Sequence, residues 1–373
     1  MTFSLKDTIF KNLKNFPGWR TNRKIVVFSI DDYGNIRMAS KAARDILKAK
    51  GLAIDSNRFD LYDSLETAED LEALFETLQS VKDKNGNNAI FTSFTNVANI
   101  NFEAIEQNGF EKYEYESILD SYEKMPSNKS PWKIFKEGIE KNLIVPESHG
   151  REHVNLEYFN ELLKRKDAEL ISCILERSFG GLNAKPFKNI GYTAAFDFEN
   201  NPNFEKQKEI LTSGLELFEE IFGRKASHFN APGAHEHHFL ESTMFEKGIN
   251  FIDTDFIKRE HQGNGVYSNK LTFNGNMNKL GQIYFVRNCV FEPLLDLNKD
   301  YVDSCLKEIE IAFRYNKPAN ISSHRVNFSG EIDSNVRLRG LSELKRLLLS
   351  IVKKWPEVEF MCTNELGFLM KNN

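Results

Sequence analysis

Short apolar runs alternate with amphipathic segments along most of this 373-residue chain. The runs that end in a turn or a polar residue predict strands at 25–30, 89–94, 143–146, 226–229, 250–253, 283–286, 319–323 and 358–361. Weaker strand candidates lie at 190–196 and 270–273. Apolar residues at helical spacing predict helices at 37–50, 67–84, 155–178, 203–222, 236–247, 300–315 and 336–354. Strand–helix alternation with seven or eight strands favours a parallel, barrel-like α/β architecture.

The sequence contains no feature that divides the chain into separate domains. It has no fixed-period repeat and no low-complexity linker. Residues 99–142 are rich in Glu, Lys, Asn and Tyr, and they predict a helical excursion on the surface. We therefore expect a single domain over residues 1–373.

The composition is that of an ordinary soluble globular protein, with 40% hydrophobic and 28% charged residues. A formal net charge of −5 is small for this length and argues against a general nucleic-acid surface. We therefore expect no nucleic-acid partner. Nothing in the sequence predicts an oligomeric state.

The first 19 residues are loosely amphipathic and carry lysines among the apolar positions. They lack a continuous apolar core of a signal peptide, so we expect a helix packed on the domain rather than a membrane anchor. No stretch is long and apolar enough to predict a transmembrane segment. The four cysteines form no CxxC pair, which predicts reduced buried thiols in a cytoplasmic protein.

Two adjacent acids, Asp31 and Asp32, follow the apolar run 25–30 and precede a turn at Tyr33 and Gly34. Two like charges side by side are unfavourable unless a cation or a shared proton relieves them. In parallel α/β proteins, functional sites are built at the carboxyl ends of the strands. The pair therefore predicts a catalytic acid or base beside a metal ligand, provided that neutral ligands lie elsewhere.

Two histidines, His149 and His153, follow the predicted strand 143–146 at a spacing of i and i+4. Such a spacing on a helical turn brings both imidazoles to one face, where they can reach one ion. Two surface histidines would be the simpler interpretation if no acid were available. Because Asp32 ends another predicted strand, we favour a metal site.

Three further segments carry candidate chemistry. His324 ends the predicted strand 319–323, as a site residue on the catalytic face would. Residues 230–233 (Asn-Ala-Pro-Gly) predict a rigid turn whose backbone N–H groups face an oxyanion. Residues 235–238 (His-Glu-His-His) suggest either a second metal cluster or a polar helix start, and we favour the helix start.

Taken in order, these segments resemble the polysaccharide deacetylase family, the NodB-homology domain of carbohydrate esterases. The family motifs T-F-D-D-G, A-T-F-F, H-[ST]-x-x-H, R-x-P-[FY], L-x-x-H and T-x-x-E-L are similar to residues 28–34, 89–92, 149–153, 230–233, 321–324 and 362–366, respectively. Each motif is short, but the ordered set is much more specific than any member.

The resemblance implies a role for each site residue. Asp31 would be the general base that takes a proton from the attacking water, and His324 the general acid that protonates the leaving amine. The backbone N–H of Gly233 would stabilise the tetrahedral oxyanion. The residues implied to bind a divalent metal are Asp32, His149 and His153. Zn²⁺ is the expected ion, with Co²⁺, Ni²⁺ or Mn²⁺ as alternatives.

The family fold implies a distorted (β/α) barrel with about seven strands and with helical insertions. The interval from Asp32 to His149 is longer than in a compact family member. We therefore expect insertions at 52–66 and 99–142 that shape the substrate pocket.

The chain also departs from the family pattern. Asn230 stands where the family has an arginine that pairs with the base, and Gly233 stands where it has an aromatic residue. Tyr33 follows the acid pair in place of a glycine, where it would pack over the metal pocket or contact substrate. An aspartate partner for His324 is expected at Asp253 or Asp255. The arginines that could replace the missing cation are Arg151, Arg259, Arg287 and Arg325.

The function implied is that of a metal-dependent hydrolase of carbon–nitrogen bonds, which removes an acyl group, N-acetyl above all, from a sugar or glycan. The expected partner is thus a carbohydrate or sugar-conjugate substrate. Two alternatives stay open. A non-catalytic carbohydrate-binding relative is suggested by Asn230, and a metal-dependent glycoside hydrolase would need two carboxylates across a scissile bond, such as Asp31 with Asp253 or Asp255.

Overall fold

A computed structural model describes residues 5–126, 128–200 and 203–372 of the chain. Its strands are β1 (Ile25–Tyr33), β2 (Phe91–Thr95), β3 (Ala98–Ile100), β4 (Tyr115–Ser117), β5 (Ile144–Ser148), β6 (His228–Phe229), β7 (Phe251–Asp253), β8 (Ile257–His261), β9 (Tyr267–Leu271), β10 (Ile283–Phe285), β11 (Cys289–Val290), β12 (Ala319–His324) and β13 (Glu359–Met361).

The helices follow most strands in the chain order. They are α1 (Leu5–Asn15), α2 (Lys41–Ala49), α3 (Arg58–Tyr62), α4 (Ala68–Gln79), α5 (Phe102–Gln107), α6 (Ile118–Glu123), α7 (Pro131–Glu140), α8 (Leu156–Lys164), α9 (Ala168–Leu175), α10 (Phe204–Phe222), α11 (Glu241–Glu246), α12 (Tyr301–Arg314), α13 (Ser334–Lys354) and α14 (Thr363–Lys371). Within the described ranges, no helix combines the length and the apolar character needed to cross a bilayer.

Nine strands form one parallel sheet in the order β10-β7-β6-β5-β2-β1-β12-β11, with β13 paired to the start of β1. The two ends of this order, β10 and β11, are joined through residues 286–288. The four Cα–Cα steps from Phe285 to Cys289 span at most about 14 Å, so the sheet must curl until its ends are close. The predicted fold class, a distorted (β/α) barrel, is confirmed, with nine strands in the sheet instead of about seven.

Strand β1 lies at the centre of this sheet and is buried along its whole length. Its apolar start is flanked by strands and covered on its faces, as expected for a central parallel strand without polar alternation. Phe28 packs on Phe91 of β2, with ring centroids 5.5 Å apart. On the other side the register sets Asp31 beside His324 of β12. The sheet thus brings these two predicted site residues to neighbouring strand ends.

Amphipathic helices cover the outer face of the sheet. In α13, Leu341, Leu344, Leu348 and Ile351 are buried at helical spacing against the core that contains Phe28. Full burial of one such side chain stabilises the fold by about 1.5–3 kcal/mol. The helical patterns seen in the sequence therefore mark packing faces rather than functional surfaces.

Several predicted elements differ from the structure. Residues 190–196 form turns instead of a strand, and 155–178 form two helices, α8 and α9. The break falls at Lys166, which has a φ of 51°, and Asp167 caps the following helix through its side chain. Residues 236–247 form a short 3-10 turn and α11 instead of one helix. The predicted strand at 270–273 belongs to the antiparallel hairpin β8–β9.

The two segments predicted as insertions both contain helices. Residues 52–66 include α3, and residues 99–142 include α5, α6 and α7 together with β4. That these segments are insertions, and that the chain is one domain, stay predictions. Residues 52–66 include two carboxylates, Asp63 and Glu66, that contact Arg325.

A buried ionic network lies behind the carboxyl end of β1. The Arg325 guanidinium is 1% exposed and contacts Asp63 at 2.9 Å and Glu66 at 2.6 Å. Glu66 in turn accepts a hydrogen bond from the backbone N–H of Gly34 at 3.0 Å. Arg325 also donates to the carbonyl of Asn35 at 2.8 Å. The network therefore anchors the loop that follows the acid pair.

Arg325→Met should lower the free energy of unfolding by about 3–5 kcal/mol, because it leaves two carboxylates buried without their cation. Urea denaturation followed by circular dichroism would measure the change. Arg346→Met is the matched control, since Arg346 pairs with Asp300 at a surface position and its loss should change stability by less than about 1 kcal/mol. Equal losses in the two variants would contradict the anchoring role.

Candidate active site

The carboxyl ends of the strands surround a cavity of about 400 Å³. Its walls include every residue that the sequence predicted for the site: Asp31, Asp32, His149, His153, Gly233 and His324. Residues separated by nearly three hundred positions along the chain thus face one space. Their roles stay predictions, but their convergence is a property of the fold.

Asp32 lies in an irregular part of β1, where the register against β2 shifts between Ile30 and Tyr33. Its φ of 74° is in the left-handed region, which costs a non-glycine residue about 1–3 kcal/mol. Gly34 follows, and a Cβ at that position would lie 2.3 Å from the carbonyl oxygen of Asn96. The turn after the acid pair therefore needs a glycine, and the bulge aims adjacent carboxylates into one cavity.

Asp32, His149 and His153 bring their ligand atoms together. The Oδ1 atom of Asp32 lies 3.4 Å from Nε2 of His149 and 3.3 Å from Nε2 of His153. Ligand atoms bound at 2.0–2.1 Å to a tetrahedral Zn²⁺ lie about 3.3 Å from one another. These separations fit a divalent metal held by two imidazoles and one carboxylate.

The hydrogen bond of His149 fixes the direction in which this imidazole can act. Its Nδ1 lies 2.8 Å from the backbone carbonyl of Asn230, and a carbonyl can only accept, so Nδ1 carries the proton. Nε2 is therefore the ring nitrogen that faces the carboxylate of Asp32 and the one available to a metal. A hydrogen bond from the other ring nitrogen to a backbone carbonyl is how second partners orient metal-binding histidines.

His153 is also suited to bind as a neutral ligand. It is 8% exposed, and burial lowers the pKa of its imidazole despite the nearby Asp32 carboxylate. Its Nδ1 atom is buried with no hydrogen-bond partner in the described part of the chain. A metal ligand must be deprotonated at the binding nitrogen, so burial prepares this ring for the role.

The cation expected beside Asp31 is present, but it comes from Arg287. This guanidinium binds both oxygens of Asp31, at 2.6 and 2.8 Å, and also reaches Asp253 at 3.2 Å. Asn230, at the position where the resemblance implied an arginine, donates its amide to Asp31 at 2.9 Å. Burial alone would raise the pKa of Asp31, but Arg287 holds it below its usual value. Asp31 is therefore an ionised carboxylate held in one orientation.

The other three arginines considered as substitutes are engaged elsewhere. Arg151 pairs with Glu152 at 2.5 Å, Arg259 lies over the ring of Tyr267, and Arg325 belongs to the buried network described above. The prediction for Tyr33 is also wrong, because this ring is 1% exposed and packs on Phe135 in the core.

The expectation that Asp253 or Asp255 partners His324 is wrong. Nδ1 of His324 lies 2.5 Å from Glu292, which follows β11. Asp253 instead lies against Arg287, as described above. Glu292 is held in place by Arg58 at 2.6 Å and is 4% exposed. The other ring nitrogen, Nε2, lies 3.7 Å from Asp31, so His324 and Asp31 are neighbours on the cavity wall.

The charge of His324 is set by its carboxylate neighbours. Burial lowers the pKa of this imidazole, but Glu292, together with Asp32 and Asp31, outweighs burial and raises it to about 9. The ring is therefore protonated near neutral pH. A protonated imidazole beside an ionised carboxylate provides one proton donor and one proton acceptor in the same cavity.

Glu292→Gln should move the alkaline limb of the pH profile of kcat/KM to lower pH. Removing this carboxylate removes the largest influence that raises the pKa of His324, so the donor loses its proton earlier as the pH rises. Initial rates across a pH series would measure the shift. Glu260→Gln, at a glutamate that pairs with His238, is the control and should leave the limb in place. An unchanged limb in Glu292→Gln would argue against this origin of the charge.

Gly233 also lines the cavity and lies in the 3-10 turn Pro232–Ala234. Its φ is 81°, and an added Cβ would lie 3.0 Å from Cα of Ala194. The position therefore favours glycine both for backbone conformation and for space. Gly233 has no side chain and lines the cavity, so its main-chain atoms form that part of the wall, as the predicted oxyanion role requires.

The histidines at 235–238 form a second group away from this cavity. His237, His238 and Glu260 place ligand atoms within 4.8 Å of one another. Glu260 also accepts a hydrogen bond at 2.7 Å from the backbone N–H of His238, where a 3-10 turn begins. The contact with the turn agrees with the interpretation as a polar helix start.

Comparison with known proteins yields similar folds but no family. Neither a protein-family model nor a curated protein matches the chain. A provisionally assigned polysaccharide deacetylase from Mycobacterium smegmatis has 10% identity and a TM-score of 0.47, over 95% of this chain and 93% of that chain. PuuE allantoinase has 10% identity and a TM-score of 0.43, over 94% and 91%.

A GH57-type branching enzyme from Pyrococcus horikoshii is similar at 10% identity and a TM-score of 0.47, over 92% of this chain and 70% of that chain. These proteins have different activities by name, and all three TM-scores are below 0.5. The function is therefore argued from the side chains of the site.

Proposed function

We propose that this protein is a metal-dependent hydrolase that removes an acyl group, N-acetyl above all, from a sugar or sugar-containing molecule. The observation that supports this most is the arrangement of Asp32, His149 and His153 around one point, with the His149 lone pair turned inward by Asn230. Two histidines and one carboxylate are the ligand set of hydrolytic metal sites that keep positions open for reactants.

A divalent metal, with Zn²⁺ as the first choice, would be held by these three residues and would supply Lewis-acid polarisation of the acyl carbonyl. The rest of the chemistry is assigned to the chain itself. Asp31 accepts the proton of the attacking water, because Arg287 keeps it ionised and bidentate binding fixes its plane. Protonated His324 donates a proton to the departing nitrogen, so that an amine and not an amide anion leaves.

The tetrahedral oxyanion needs donors that are already oriented when charge develops. The backbone N–H of Gly233 is proposed for this role, since the turn presents main-chain atoms to the cavity. A cavity of about 400 Å³ lies within the range of small-molecule sites and suits one sugar unit. The geometry thus favours a short or monomeric substrate over a long glycan that threads through the site.

The two alternatives are less well supported. A glycoside hydrolase requires two carboxylates on either side of the scissile bond, but Asp31 and Asp253 both bind Arg287, so the guanidinium lies between them. The non-catalytic hypothesis rested on the missing cation at Asn230, and Arg287 supplies that cation. We therefore retain the hydrolase as the proposed function.

Acetate release from N-acetylglucosamine and its short oligomers tests the proposal directly. Zinc-loaded protein should release acetate, and protein treated with a chelator should not, until metal is returned. Release of reducing sugar without acetate would instead indicate glycosidase activity. No acetate from any N-acetyl sugar, with metal bound at one ion per chain, would overturn the proposed function.

A further inference from the structure

Arg37 is a buried cation in the site for which the proposed chemistry has no use. It is 7% exposed, lies in the loop after β1 and lines the cavity. Its nearest carboxylate oxygen, on Asp60, is 3.6 Å from Nε, and Nε has no hydrogen-bond partner in the described residues. The guanidinium lies over the ring of Tyr192, 5.9 Å from its centroid. Burying a charge this loosely paired is costly unless a ligand completes it.

Asp60 pairs with Arg37 only loosely, because a single oxygen faces the guanidinium and its 3.6 Å separation is too long for a hydrogen bond, while the other oxygen is engaged elsewhere. That oxygen accepts hydrogen bonds from the hydroxyl of Tyr192 at 2.8 Å and from the backbone N–H of Gly181 at 3.0 Å. The oxygen nearer to Arg37 is buried without a hydrogen-bond partner. A purely structural arginine would be expected to close such a pair with two parallel bonds. Arg37 keeps its terminal nitrogens free of hydrogen bonds to the described residues.

Lys14 is a second cation in the same cavity, and it comes from a different element, α1. It is half-buried and forms no hydrogen bond or ion pair with any described residue. Burial lowers the pKa of this ammonium, and only the carboxylate of Asp255 and the thiol of Cys289 act against that effect. The Lys14 ammonium thus makes no direct ion pair at the wall of a ligand-sized cavity, although the Asp255 carboxylate lies on the same wall.

Most of the other charged groups of the cavity are engaged with one another or with the proposed metal site. Arg287 is neutralised by Asp31 and Asp253, and Asp32 belongs to the proposed metal site. Two cations, Arg37 and Lys14, are left on the walls without hydrogen-bonded partners. The cavity wall also carries the carboxylate of Asp255, so Arg37 and Lys14 are set apart by their lack of hydrogen-bonded partners and not by a surplus of positive charge.

We infer that the substrate of this site carries an oxyanion, a phosphate or a carboxylate, which Arg37 and Lys14 bind. The inference rests on the proposed function for its acyl-sugar part and names the class of sugar: an acylated sugar phosphate or sugar acid. A guanidinium offers a fork of parallel donors that matches either oxyanion, and an ammonium adds a point charge. The two cations would then select against neutral glycans.

Binding can be measured without turnover by using sugars that lack an acyl amide. Isothermal titration calorimetry on zinc-loaded wild-type protein would compare glucose with glucose 6-phosphate, glucose 1-phosphate and glucuronate. We expect at least one of the anionic sugars to bind ~10-fold or more tightly than glucose, since bonds to ionised groups are the strong ones. The phosphate and carboxylate arms tell the two oxyanions apart.

Variants distinguish anion binding by Arg37 and Lys14 from anion binding by the metal. Arg37→Gln and Lys14→Gln should each reduce the preference for the anionic sugar by ~10-fold, and Arg37→Lys should have an intermediate effect because it keeps charge but loses the fork. Lys6→Gln is the matched control, because it makes the same charge change on the same helix at an exposed position outside the cavity. Thermal melts check that each variant folds. If Arg37→Gln does not fold, Lys14→Gln still tests the inference.

Equal affinity for glucose and all three anions would overturn the inference. So would a preference that survives both Arg37→Gln and Lys14→Gln, since the anion would then be binding to the metal. An anion preference without acetate release from any N-acetyl sugar leaves this inference intact and overturns the proposed function. Acetate release from neutral and anionic N-acetyl sugars with equal kcat/KM supports the proposed function and overturns this inference.

Discussion

Asp31→Asn should lower kcat for acetate release by about 10²–10⁴-fold while the metal content stays at that of the wild type. The amide cannot accept the proton of the attacking water, and the ligands Asp32, His149 and His153 are left in place. Acetate release under saturating substrate, with metal analysis of the same samples, measures both quantities. A variant that keeps near-wild-type kcat would remove Asp31 from the role of base.

A control is needed because Asp31→Asn also disturbs Arg287. Asp253→Asn makes the same chemical change at the other carboxylate of that arginine, 3.2 Å from it, and leaves the bidentate pair with Asp31. We expect a much smaller loss of kcat in this variant. Equal losses would mean that the arginine pair, and not proton transfer by Asp31, accounts for the effect.

His149→Ala should abolish both metal binding and acetate release. Two ligands are left after this change, and the oriented lone pair on Nε2 is gone, so a divalent ion is no longer held tightly. Metal analysis after gel filtration should fall from about one ion per chain to none. Added Zn²⁺ should restore chelator-treated wild type but not the variant.

His238→Ala is the matched control for this result, since His238 belongs to the second group of histidines, outside the cavity. Metal content and acetate release should both stay at wild-type levels. One ion per chain retained in His149→Ala, together with its loss in His238→Ala, would place the metal at the second group and overturn the proposed site.

Local patterns in the sequence were sufficient to predict which residues lie together in the cavity. The acid pair follows a strand made of consecutive apolar residues, and His149 and His153 carry their spacing within five residues. Such short-range signals survive without knowledge of the fold, because strand ends in a parallel sheet meet at one edge. The barrel class was predictable for the same reason, from the alternation of strands and helices.

The partners that set the charges of Asp31 and His324 could not be chosen from sequence. Arg287 lies 256 residues from Asp31, in the connection between two strands, where nothing periodic marks it among the other arginines. Glu292 follows β11, a strand of two residues that is too short to leave a pattern. The sequence instead indicated Asp253 and Asp255, at the end of β7, as partners of His324.

The wrong prediction of a strand at 190–196 has a different cause. Its apolar and β-branched residues match a strand by propensity, but such propensity depends on packing against a neighbouring strand. In the structure this segment forms turns whose Tyr192 hydroxyl bonds Asp60 and whose Thr193 lines the cavity. Residues 190–196 therefore contribute to the cavity wall and do not pair with a strand of the sheet.

The position of Arg287 links the charge of Asp31 to the closure of the barrel. It lies between β10 and β11, the two ends of the sheet order, and it binds the carboxylates of Asp31 on β1 and Asp253 on β7. Any opening of this seam would separate a buried guanidinium from two carboxylates, which is strongly unfavourable. We therefore expect the seam to stay closed until the chain unfolds, so that thermal inactivation coincides with the loss of secondary structure. Arg287 would then hold the two ends of the sheet order together as well as keep Asp31 ionised.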